Sequence, residues 1–189
     1  EDARYFTAHY PAPDLSIVPD TGFPVCCAQR GSMTLSVEVP FAHEVTIQQS
    51  NNPSVTPEEI TAVLPDGTAL TVKGDSAHIF KADGIDNAIV KLLKLLGERF
   101  PEDAEKLNGV AGLINSWHGE TLGINYADEL SGALQMGATA MAWEDGVLKV
   151  RVFIILPVSA DADEITARAH RKAQTVGASA VKLRARPSC

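Results

Sequence analysis

Two side chains in this sequence sit where they could do chemistry. His78 follows an alternating run at residues 69–73 and Gly74, just ahead of an apolar helical pattern. Scaffolds commonly present functional side chains at such strand ends. Asp20 lies in Pro19-Asp20-Thr21-Gly22-Phe23-Pro24. By residue type alone, a single His is more often a hydrogen-bonded surface or core imidazole, and an Asp before Thr-Gly more often bonds its own turn. His9, His43, His118 and His170 show no ligand spacing and read as surface residues.

The elements that must position His78 can be read from periodicity. Asp66-Gly67 predicts a type I′ hairpin turn, whose two central positions need positive φ. Residues 59–64 and 69–73 are the strands it joins. From Asn87, the residues Ile89, Leu92, Leu93 and Leu96 recur at helical spacing, giving a helix over 87–100 that Pro101 ends. A second helix is expected from Pro101 to about Trp117, with Trp117 in the core. Upstream, a short helix over 2–9, a brief strand at 15–18 and strands at 32–39 and 45–49 are expected. Downstream, residues 133–143 and 147–156 form a hairpin around Glu144-Asp145-Gly146. A helix over 162–176, capped by Gly177, and a strand at 179–185 complete the chain.

The chain has 189 residues, 45% hydrophobic and 21% charged, with a formal net charge of −8. That is one domain or two small ones. No apolar run reaches the roughly 20 residues of a membrane helix. The acidic balance argues against a nucleic-acid partner. Cys26, Cys27 and Cys189 suggest no disulfide framework, and the expected location is cytoplasmic. The first residue is Glu1 rather than Met, which points to a piece of a longer protein.

The string Lys73-Gly74, Ser76-Ala77-His78, then Gly84 and Asn87-Ala88 opening an apolar helix, resembles the lid signature of the zinc aminoacylase and dipeptidase superfamily. That family includes acetylornithine deacetylase, succinyl-diaminopimelate desuccinylase, carnosinase and the PepV-type dipeptidases. The resemblance implies that His78 reaches over the cleft and steadies the oxyanion of the tetrahedral intermediate. The segment Tyr5-Phe6 to Asp14, then Pro19-Asp20 and Phe23-Pro24-Val25, is similar to the junction of catalytic domain and lid in PepV-type enzymes, where the Asp is a zinc ligand. Asp20 is thus the one candidate metal ligand. Leu122-Gly123 and Asp128-Glu129-Leu130-Ser131-Gly132 resemble a further family segment.

The resemblance also implies a two-zinc site, whose remaining ligands this sequence lacks, and a small peptide or acyl-amino-acid substrate. Four positions depart from it: Ser54 stands near an expected Asn, Ile155 stands where an Arg binds the substrate carboxylate, Ala82 stands where a Pro often follows the lid His, and Gly84 falls one place early. Arg151 shares that strand face about 13 Å away.

The implied fold is α+β, with antiparallel sheets carrying helices on one face, ferredoxin-like. The implied division is a catalytic-domain stub over 1–24, a first lid subdomain over 25–125 and a second over 126–189. Two such units in one chain favour a monomer whose partner is the missing catalytic domain. The alternative is a non-catalytic ferredoxin-like module that binds a ligand or oligomerises.

Overall fold

The computed structural model describes Tyr5, residues 8–11 and residues 29–188. Asp20, the expected strand at 15–18 and the three cysteines lie outside the described residues.

The structure is α+β. Its strands are β1 (Gly31–Pro40), β2 (Thr46–Gln49), β3 (Glu59–Val63), β4 (Ala69–Lys73), β5 (Ala127–Asp128), β6 (Gly132–Ala133), β7 (Gln135–Glu144), β8 (Val147–Leu156) and β9 (Ser179–Arg186). Its helices are α1 (Ala88–Arg99), α2 (Ala104–Ile114) and α3 (Ala162–Gln174). An antiparallel four-stranded sheet has the order β7-β8-β1-β9, and a three-stranded sheet has the order β2-β3-β4. β1 precedes residue 125 and yet lies between β8 and β9, which follow it.

Alternation along β1 decides which face of the large sheet is core. Met33, Leu35, Val37 and Val39 are buried, and Ser32, Thr34, Ser36 and Glu38 take the other face. On β8 the same division puts Leu148, Val150, Val152 and Ile154 inside, with Lys149, Arg151, Phe153 and Ile155 on the opposite face. The core joins these residues to Ile89, Leu92, Leu93 and Leu96 of α1, to Leu107 and Val110 of α2, and to Ile165 and Ala169 of α3. Each large aliphatic side chain so buried contributes about 1.5–3 kcal/mol relative to exposure. One core therefore spans both sheets.

The Asp66-Gly67 turn is not type I′. Gly67 N–H donates to the Leu64 carbonyl at 2.9 Å, so Pro65 and Asp66 are the central residues, and only Gly67 has positive φ, at 83°. Pro65 fixes φ near −65°, which selects a type I turn followed by a left-handed glycine. Asp66 then accepts the Thr68 N–H at 2.8 Å. The turn with two positive φ values is Asp145-Gly146, at 51° and 80°, joining β7 to β8.

The helix expected over 101–117 is also shorter. Pro101–Asp103 forms a single tight turn and α2 stops at Ile114. Thr121 donates to the Leu113 carbonyl at 2.7 Å, and Trp117 is drawn onto β7, where its carbonyl accepts the Met136 N–H at 2.7 Å. These bonds replace the helical ladder beyond Ile114.

Candidate active site around His78

β4 delivers the chain to Gly74, where the backbone turns sharply against the start of α1. A Cβ at Gly74 would lie 2.4 Å from the Asp86 carbonyl oxygen and 2.5 Å from the Ala88 nitrogen, so only glycine fits. Residues 75–78 then run beside residues 54–56. Thr56 N–H donates to the Ala77 carbonyl at 3.0 Å, and Ile79 N–H donates to the Ser54 carbonyl at 3.0 Å. Thr56 is fully buried; its hydroxyl donates to the Asp75 carbonyl at 2.7 Å and accepts the Ala77 N–H at 3.0 Å. Asp75 in turn accepts the Asp86 N–H at 3.0 Å, closing the loop at its far end. Both arms that carry His78 are thereby fixed.

His78 caps a one-turn helix, Ile79–Lys81. Its Nδ1 accepts the Phe80 N–H at 3.2 Å. A neutral imidazole that accepts at Nδ1 carries its proton at Nε2. The exposed side chain therefore offers an Nε2–H donor to whatever approaches it. Beneath the turn, Ile79 is buried with Ala82 and Ile155, and Trp117 and Phe153 pack against them. Gly137 of β7 makes room, since a Cβ there would lie 2.6 Å from Ile79 Cδ1 and 3.0 Å from Trp117 Cζ3.

A second anchor comes from residues that sequence reasoning did not single out. Gln135 Nε2 donates to the Phe80 carbonyl at 3.2 Å, and its Oε1 accepts from Arg30 Nη1 at 3.0 Å. Arg30 Nη2 donates to the Ala133 carbonyl at 2.6 Å and to the Ile155 carbonyl at 3.3 Å. Burial pulls the Arg30 guanidinium below its ordinary range, and the Asp128 charge partly offsets this. Arg30 and Gln135 are 105 residues apart, so neither period nor motif links them.

Ile155, Ser54, Arg151 and Asn87 have structural roles. Ile155 is buried under the His78 turn. Ser54 is held by Asn52, whose Oδ1 accepts the Ser54 N–H at 3.1 Å and its hydroxyl at 3.3 Å. Arg151 shares the Ile155 face of β8 and donates to Asn51 Oδ1 at 3.2 Å. Asn87 caps α1, accepting the Ile89 N–H at 2.9 Å while its Nδ2 donates to the Ala138 carbonyl at 2.9 Å, which ties the helix start to β7.

Asp128, in the segment Asp128-Glu129-Leu130-Ser131-Gly132, is a staple. Its Oδ2 accepts the Ser159 hydroxyl at 2.7 Å and N–H at 3.1 Å, and its Oδ1 accepts the Ser131 N–H at 2.6 Å and hydroxyl at 2.8 Å. The Ser159 hydroxyl and then the Ser131 N–H hold its carboxyl well below the usual carboxylate range.

Three other histidines lie partly exposed at the surface, as expected, and each is held by a partner. His43 stacks on Phe100 at 4.1 Å and pairs with Glu102 at 2.8 Å. His118 and His170 bond the Leu134 and Ala180 carbonyls at 2.8 Å and 3.2 Å. Among the described residues, no three His, Cys, Asp or Glu side chains are grouped to hold a metal ion, so they build no zinc site. No helix among them is long and apolar enough to cross a membrane.

No family model matches the chain, and no curated protein does. Among solved structures, it is similar to an aminoacylhistidine dipeptidase from Vibrio alginolyticus. The TM-score is 0.37 at 12% identity, covering 86% of this chain and 45% of that one. The chain thus spans less than half the length of that protein.

Proposed function

We propose that this chain is the lid of a zinc-dependent dipeptidase or related amide hydrolase, with His78 as its oxyanion donor. The observation that carries this reading is the Nδ1 bond from Phe80 N–H, which leaves an exposed Nε2–H on a turn anchored from two sides. Charge that develops on a carbonyl oxygen during amide hydrolysis is best met by a donor already in place, because nothing need reorganise as the charge appears. The residues around His78 that resemble the lid signature support it: Gly74 makes the close turn onto α1, and Asn87 caps that helix.

The lid is ferredoxin-like, with a stub over 1–24 and subdomains over 25–125 and 126–189 that share β1, the strand by which the first completes the sheet of the second. It covers a two-zinc site held by the catalytic domain of a longer, monomeric, cytoplasmic parent. Asp20 is the candidate ligand this chain lends, and the substrate is a small peptide or acyl-amino acid. A second reading, a ferredoxin-like module without catalysis, is favoured by Ile155, which lies buried where an Arg would hold the substrate carboxylate.

Hydrolysis of a dipeptide and N-acyl-amino-acid panel by the full-length parent separates the two. His78→Ala is expected to lower turnover about 10²–10³-fold, the cost of one oxyanion donor. Activity unchanged in the variant removes His78 from the mechanism. A parent inactive on every substrate favours the non-catalytic module.

A further inference from the structure

On the open face of the large sheet, a groove of about 490 Å³ runs between β2 and strands β7 and β8. Its wall is fixed. Gln49 of β2 acts like an added strand residue, donating Nε2–H to the Met141 carbonyl at 2.8 Å and accepting the Met141 N–H at 3.1 Å. Four charged groups line it: Glu38, Glu144, Lys149 and Arg151. They balance in number but not in place. Lys149 donates to Glu144 at 2.6 Å, and it also lies opposite Glu38 across β1 and β8, so two carboxylates share one ammonium at that end.

At the other end, the Arg151 guanidinium is oriented by Asn51 and forms no ion pair with a described carboxylate. The groove is therefore dipolar, negative at Glu38 and positive at Arg151. Positions 149 and 151 are two residues apart on β8, or about 7 Å along the strand. Ile47, Ala140 and Leu183 give the groove an apolar lining.

We infer that this groove is a binding site for a small zwitterion whose ammonium and carboxylate stand at opposite ends of a short flexible chain, such as an ω-amino acid. The carboxylate docks on Arg151, where a planar guanidinium can offer two parallel N–H bonds, and the ammonium docks by Glu38. A phosphate or dicarboxylate is disfavoured, because its second charge meets Glu38 and Glu144. The site does not depend on His78, and it stands or falls apart from the hydrolase reading.

The test is titration of the 189-residue chain with 6-aminohexanoate, followed through backbone amide NMR signals. Hexanoate and hexylamine each supply one charge, and glycine supplies both too close together. Saturable shifts confined to the groove are expected with 6-aminohexanoate. The three controls should bind about tenfold more weakly or worse. Arg151→Gln should bring 6-aminohexanoate down to the level of hexylamine, and Glu38→Gln down to the level of hexanoate. Equal binding of a single-charge control, shifts elsewhere on the molecule or no saturable shift would overturn the proposal. If Arg151→Gln melts early, the charge and spacing series on the wild-type chain decides alone.

Discussion

At the scale of single residues, the fold uses polar side chains to hold backbone N–H groups, and what remains free on each side chain sets its use. Asp128 spends both oxygens on Ser131 and Ser159, so it ties the β5–β6 ribbon to the segment after β8 and has little left to offer a ligand. His78 spends only Nδ1 and keeps Nε2. The Asp128 bonds lower its folded carboxyl affinity for protons, so its stabilising contribution is fully present above the unfolded value near 3.9. It is lost as pH falls through the lower folded value. Asp128→Asn is therefore expected to melt earlier than wild type at neutral pH, with the gap narrowing steadily below about pH 4. Thermal melts of the two proteins across pH check this; a constant gap would mean that charge is not what Asp128 supplies.

At the scale of elements, the His78 turn depends on shape as well as hydrogen bonds. Gly137→Ala would place a methyl against Ile79 and Trp117, and overpacking of this kind costs about 1–3 kcal/mol. The variant should stay folded, melt earlier and move the amide signals of His78 and Phe80 more than that of His43. Unmoved His78 signals would show that β7 does not set the position of the turn. The strands and helices that carry this turn were legible in the sequence, because alternation in β1 and the 3.6-residue repeat in α1 are local patterns. The turn at Asp66 departs from the Asp-Gly signal because Pro65, one residue earlier, overrides it. α2 ends before its apolar pattern does because the bonds that stop it reach Thr121 and Met136. Arg30 and Gln135 left no local trace at all, as their partnership exists only once β7 lies beside the start of β1.

For the molecule as a whole, the shared core carries the main consequence. β1 sits between β8 and β9, and α1 touches both sheets, so neither sheet keeps its apolar face covered without the other. Chemical unfolding should accordingly be one cooperative transition. Fluorescence of Trp117 and Trp143 and far-ultraviolet circular dichroism are expected to give coincident curves. Separated midpoints would divide the chain into independently stable units. That single framework also places the groove with Arg151 and the turn with His78 on one face of the large sheet.

The standing N–H donor at His78 is the link on which the hydrolase reading depends, and it can be measured on this chain directly. Nitrogen-15 NMR of the His78 ring, recorded with the ring neutral, distinguishes its two tautomers. The expected result is a proton on Nε2 with Nδ1 bare and coupled through its bond to the Phe80 amide. A proton on Nδ1 would contradict it, because the outward nitrogen would then accept hydrogen bonds and could not steady an oxyanion.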